Sequence, residues 1–235
     1  FRLDPDVPLI VPEVNPEDVK WHKGIIANPN CSTIIMVVAL KPIEDIAGIE
    51  RIVVSTYQAV SGAGKDGILE LEEQVKGWSR GEKATEFKAF PYQIAFNVIP
   101  RIDKFGEADY TKEEWKMVNE TQKIFNREDM KITATAVRVP VMRSHCESIN
   151  IETKRKVSIS EVKRALSKAP GIVVVDNPAE DLYPMPLDSS DTDEIYVGRI
   201  REDLTIPNGI NIWVAGDQIR KGAATNAIQI AELLL

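Results

Sequence analysis

Strand-like and helix-like segments are interleaved along this chain without strict β-α-β alternation, and that order constrains the fold more than any other feature. Residues 51–60 ("RIVVSTYQAV") are β-branched and aromatic, and they stop at the turn "SGAGKDG". "KITATAVRVPV" and "ESINIETKRKV" read as strands separated by "MRSHC", and "GIVVVD" reads as another. "EIYVGRIRED" and "GINIWVAGD" form a further pair, joined through the turn Pro207-Asn208-Gly209. Between them lie helical signals. "CSTIIMVVALKPI" starts at or just after Asn30, "ILELEEQVKGW" is a second helix, and "QIRKGAATNAIQIAELLL" closes the chain as a single one. "TKEEWKMVNETQKIF" carries a capping box from Thr111 to Glu114, and "SISEVKRALSKA" another from Ser158 to Glu161. The pattern predicts an α+β fold with a mixed, largely antiparallel sheet and flanking helices.

Composition bounds what such a fold does. With 235 residues and 43% hydrophobic content, the chain has enough for one sizeable core or two modest ones. A net charge of -7 argues against nucleic acid or an anionic membrane as partner. No apolar run approaches the roughly 18 residues of a bilayer span. Cys31 and Cys146 make neither a disulfide framework nor a CxxC pair, and with only His22 and His145 no metal site is expected. These features predict a soluble, cytoplasmic protein. The chain opens on Phe1 in what reads as mid-domain loop and short strands, which suggests a piece of a longer polypeptide.

The stretch "NPNCST" places a thiol at a helix start. With Asn30 as N-cap, Cys31 lies in the first turn, where unpaired N–H groups and the positive dipole end favour thiolate. A buried structural cysteine is the other reading, since free Cys is among the most buried residue types. Other polar residues sit at strand ends and turns: Gln58 just before "SGAG", Arg138 opening "RVPV", and His145 one short turn later.

"NPNCST", "STYQAVSGAG", "EEWK", "RVPV" with its downstream His, and "RKGAATNAIQIAELL" together, in this order over essentially the whole chain, resemble aspartate-semialdehyde dehydrogenase. The resemblance implies conversion of L-4-aspartyl phosphate to L-aspartate 4-semialdehyde through a cysteine thioester, with NADP as cofactor and release of phosphate. It also implies a place in the biosynthesis of Lys, Met, Thr, Ile and diaminopimelate. Carried onto this sequence, it implies that Cys31 is the nucleophile, His145 the acid/base, and Gln58 the residue that orients the substrate near the thiol. Arg138 would hold the α-carboxylate and Glu113 the amino group. Lys116 and Arg2 would clamp the phosphate, with Asn30 as a further phosphate or oxyanion donor. Ser61, Gly62 and Asn226 would touch the nicotinamide end of NADP. A homodimer is implied as well.

These residue types suit that chemistry. A thiolate attacks an electrophilic acyl phosphate without strong base assistance. A planar guanidinium grips a carboxylate in bidentate fashion, and a departing phosphate calls for cations. Glu113 and Lys116, three apart on one helix, are also what an ordinary surface ion pair looks like. The sequence departs from the family pattern at "RSHCES": the family commonly has Gly before the His and Ser after it, and the extra Arg143 and Cys146 bear on the shape of that loop. Cys146 follows His145 directly, so in extended backbone it faces the opposite side and is expected in the core.

No glycine-rich dinucleotide turn occurs in these residues. The resemblance divides the chain into residues 1–30 as the tail of an NADP-binding domain, 31–212 as the catalytic and dimerisation domain, and 213–235 as a segment returning to the former. Nucleotide-binding remnants are therefore expected at both chain ends. Two alternatives stand beside this reading: an isolated, non-catalytic dimerisation fragment, and a sister acyl-phosphate reductase such as N-acetyl-glutamyl-phosphate reductase. Arg2, near the start, is expected to fray.

Overall fold

The computed structural model describes residues 1–235. Six strands form one sheet: β1 (Ile49–Gln58), β2 (Lys131–Arg138), β3 (His145–Thr153), β4 (Ile172–Val174), β5 (Ile195–Asp203) and β6 (Gly209–Gly216). Their order across the sheet is β2-β1-β3-β6-β5-β4. The four central strands pair antiparallel, while β2 joins β1 and β4 joins β5 in parallel. The sheet is thus mixed and largely antiparallel, as the sequence predicts. The helices are α1 (Cys31–Ala47), α2 (Lys65–Ser79), α3 (Lys112–Phe125), α4 (Ile159–Leu166), α5 (Pro186–Ser189) and α6 (Thr225–Glu232). None is long and apolar enough to cross a membrane.

Helix α1 is the pivot of the packing. Every residue from Ile34 to Leu40 is buried, because the apolar run leaves no face for water, and the helix lies within the main core. Its start, at Cys31, is therefore fixed by packing along the helix length rather than by local propensity alone. Helix α3 carries the capping box expected from Thr111 and Glu114. The same Glu114 reaches across to accept the Ala136 N–H at 2.9 Å, which ties α3 to β2.

Two elements differ from the sequence expectation. Strand β3 begins at His145, inside the segment read as a connection, because His145 pairs with Gly216 of β6 in the ladder. That partner is distant in sequence and gives no local signal. The closing segment is not one α-helix but a π-helical turn, Arg220–Ala224, followed by α6. The irregular turn brings Gly222 against the start of α1: a Cβ there would meet the Cys31 Cβ at 3.2 Å.

The π-turn also buries Lys221, at 1% exposure. Its ammonium donates to Glu13 at 2.6 Å, Asn226 at 3.0 Å and Gln229 at 2.6 Å, satisfying all three protons. Lys221 thereby ties the early segment to the last helix, where Ile10, Val19 and Ile230 form a small separate cluster. Removing one partner of a buried pair leaves the other charge uncompensated. Lys221→Met is expected to cost about 3–5 kcal/mol of stability, read as a lower urea midpoint with an unchanged slope.

Candidate active site

Asn30 caps α1 as the sequence predicts, its Oδ1 accepting the Thr33 N–H at 3.2 Å. Its other groups are engaged too. The carbonyl accepts the first helical N–H, from Ile34, at 2.9 Å. The side-chain amide donates to Glu113 at 2.9 Å and the backbone N–H to Glu120 at 2.6 Å. Glu113 is the hub of this side of the site. Besides Asn30 it accepts from the Gln58 amide at 3.3 Å and from the Lys116 ammonium at 3.1 Å. Lys116 also reaches Asp103 at 3.2 Å. With Glu113 at 5% exposure, this is not the ordinary surface pair that the spacing also allows.

Arg2 is held rather than frayed. Its guanidinium donates to Glu120 at 3.2 Å, and its carbonyl accepts from Lys123 at 2.9 Å. Lys123 also caps the carbonyls of Asp4 and Val7, at 2.7 and 2.8 Å. One helix, α3, therefore fixes both the residue before the cysteine and the segment that brings in Arg2.

On the other side, one residue positions two functional groups. The Ala59 carbonyl accepts from Arg138 Nη1 at 2.6 Å, and the Ala59 N–H donates to His145 Nδ1 at 3.0 Å. Gly62 lies directly against both. A Cβ there would come within 2.7 Å of Arg138 Nη1 and 3.1 Å of His145 Nε2. Only glycine lets the turn approach this closely. Because Nδ1 accepts a hydrogen bond, the neutral imidazole carries its proton on Nε2. That nitrogen is buried and has no protein partner. It is a donor awaiting an acceptor.

Electrostatics set the resting protonation. Burial pushes the Cys31 thiol up to about 12, and the Glu113 carboxylate adds to the rise. The Ser32 groups and the Arg138 charge oppose this but do not win, so Cys31 rests as thiol despite its place at a helix start. Burial likewise holds His145 well below its ordinary value, with the Arg138 charge acting the same way. At neutral pH the imidazole is uncharged.

Several features were not visible in the sequence. Glu120 and Gln218 are buried and hold backbone or hydroxyl groups of the site, Gln218 bridging the Ser144 N–H and the Ser61 hydroxyl. Glu147 is fully buried with neither carboxyl oxygen partnered, and burial raises it well above the usual carboxylate range. At the variant loop, Arg143 turns away to Asp191 and Asp217 at 2.6 and 2.7 Å. Ser144 takes a positive φ of 74°, the region that glycine adopts without strain. Cys146 is 1% exposed and sits in the strand ladder opposite Tyr57 and Ala215. Asn226 is sealed at 0% exposure, and its amide is already shared among Ile10, Asn28 and Lys221.

Residues 40–221 match the family model described as semialdehyde dehydrogenase, dimerisation domain. The chain is 58% identical to an aspartate-semialdehyde dehydrogenase of Aquifex aeolicus, covering 100% of this chain and 70% of that protein. It is 53% identical to one from Campylobacter jejuni, over 99% of this chain and 68% of that one. A solved structure of aspartate semialdehyde dehydrogenase II complexed with ASA from Vibrio cholerae superposes with a TM-score of 0.96 at 51% identity. It spans 100% of this chain, which covers 69% of it. A Candida albicans aspartate semialdehyde dehydrogenase solved with NADP is 29% identical with a TM-score of 0.75, over 100% of this chain and 68% of that one.

The thiol's environment generates a direct test. Since the negative charge of Glu113 raises Cys31, Glu113→Gln should lower the Cys31 pKa and speed its alkylation by iodoacetamide at a fixed, mildly alkaline pH. In the parent protein the rate should still be climbing with pH above the range of an ordinary thiol. A Glu113→Gln variant that alkylates no faster would show that burial alone sets the thiol.

Proposed function

Because the chain belongs to the aspartate-semialdehyde dehydrogenase family of oxidoreductases, we propose that it carries the substrate site for interconverting L-4-aspartyl phosphate and L-aspartate 4-semialdehyde through a thioester on Cys31. The observation that supports this reading most is the convergence of Asn30, Gln58 and Lys116 on the Glu113 carboxylate beside a cysteine at a helix start.

In this reading the substrate itself activates the nucleophile. Its ammonium pairs with Glu113, which offsets the charge that helps hold Cys31 protonated. Its carboxylate lies on the Arg138 guanidinium, already buried and oriented by the Ala59 carbonyl. Gln58 sets the acyl group against the thiol. The Cys31 sulfur attacks the acyl carbon, the oxyanion meets donors at the start of α1, and the bond from that carbon to the phosphate oxygen then breaks, the thiol proton leaving on the departing phosphate. His145 presents its Nε2 proton to the oxygen where negative charge develops. The leaving phosphate takes Lys116 and Arg2, each now paired with a carboxylate.

The site fits the reactive end of NADP: Gly62 offers a face without a side chain, and the unpartnered His145 Nε2 lies beside it. Ser61 and Gly62 would hold that end, and Asn226 would support it only through Asn28. Bound there, NADP supplies or accepts hydride. We place the activity in the cytoplasm, in biosynthesis of the aspartate-derived amino acids, and in a homodimer, which the family model's description supports. The 58% identity to an aspartate-semialdehyde dehydrogenase supports this reading over a sister acyl-phosphate reductase.

Two substitutions test the assignment in the full-length protein. Cys31→Ala should abolish thioester formation, while Cys146→Ser should leave most of the activity. The reversed result would sink the assignment of the nucleophile. Arg138→Lys keeps the charge but loses the fork, and should cost about 2–5 kcal/mol in kcat/KM. An unchanged kcat/KM would take Arg138 out of the site.

A further inference from the structure

Glu120 belongs to none of the roles above, yet it is 1% exposed and has a hydrogen-bond partner on each carboxyl oxygen. Oε2 accepts the backbone N–H of Asn30 at 2.6 Å, and Oε1 accepts Arg2 at 3.2 Å. It lies seven residues after Glu113, two turns along α3, so both carboxylates project from one face of that helix. Asn30 is gripped between them, its side chain by Glu113 and its backbone by Glu120.

We propose that Glu120 is a positioning residue: it anchors the residue before Cys31 through one oxygen, and through the other it holds Arg2 as an internal stand-in for the phosphate that Arg2 later binds. This inference rests on the roles proposed above for Cys31 and Arg2.

The two functions follow from geometry and charge. The Asn30 N–H precedes α1, and no other acceptor holds it. Without Glu120, a buried donor would be orphaned at the point where the cysteine is aimed. Arg2 is half-exposed, so its bond to Glu120 is weak enough for an arriving dianion to replace. The charged groups around Glu120 are Arg2, Glu113 on the same face, and Lys123 one turn on. When Arg2 moves to phosphate, Glu120 keeps the Asn30 N–H, so the cysteine stays aimed while the cation changes partner.

Glu120→Gln and Glu120→Ala in the full-length enzyme separate the two functions. The Gln carbonyl still accepts the Asn30 N–H, but its NH2 faces Arg2. Glu120→Gln should therefore keep kcat and the Cys31 alkylation rate near the parent values. Its KM for phosphate, measured in the aldehyde-oxidising direction, should fall about two- to fivefold, the range of a half-exposed ion pair. Glu120→Ala should lower kcat by on the order of tenfold or more and raise the alkylation rate, which reads Cys31 without turnover.

Glu120→Ala with parental kcat and alkylation rate overturns the anchoring role, as does Glu120→Gln with kcat as low as Glu120→Ala. An unchanged phosphate KM in Glu120→Gln overturns the Arg2 role. Failure of the underlying reading looks different: Cys31→Ala or Arg2→Ala would then remain active.

Discussion

Asn30 sits where two demands meet. Helix α1 is apolar on every face along Ile34–Leu40 and must lie inside the core, which leaves its first turn no freedom to adjust. A buried helix start exposes unpaired N–H groups that something must satisfy. Asn30 meets part of the demand with its own Oδ1 and passes the rest to α3, through Glu113 and Glu120. Cys31 is consequently aimed by side chains some eighty to ninety residues away, and the site is as rigid as the packing of α1 against α3.

The same burial makes the resting site quiet. Burial disfavours the charged form of Arg138 and His145, and desolvation raises the Cys31 thiol although that side chain is only partly buried. The helix start favours thiolate, but desolvation and the Glu113 carboxylate outweigh it. A cysteine that rests as thiol is protected from chance alkylation and oxidation, which attack thiolate.

Much of this was legible in the sequence because the signals are local. The two capping boxes, the start of α1 at Asn30, and the β5–β6 pair with its turn come from neighbouring residues, and all appear as predicted. The mixed α+β architecture followed from their order. What stayed hidden depends on distant partners. His145 opens β3 only because Gly216 pairs with it, and the π-turn exists only because Gly222 packs on Cys31 while Lys221 finds three acceptors. Glu120 reads on the helix as one more polar residue of "VNETQ". Its partners, the Arg2 guanidinium and the Asn30 N–H, are 118 and 90 residues away, and no local pattern records that. The opposing pull on the thiol was hidden for a related reason: helix position is local, whereas desolvation depends on the whole surround.

The carboxylates of α3 show how one helix serves both structure and chemistry. Glu114 completes a capping box and holds β2 through Ala136; Glu113 and Glu120, on a neighbouring stripe, hold Asn30. Lys116 and Lys123 lie on that same stripe, at helical spacings of three and ten from Glu113. Lys123 spends its protons on backbone carbonyls and so fixes the segment carrying Arg2, while the partly exposed Lys116 pairs with Glu113 and Asp103. The alternation of acid and base along the stripe keeps each buried charge compensated before any ligand arrives.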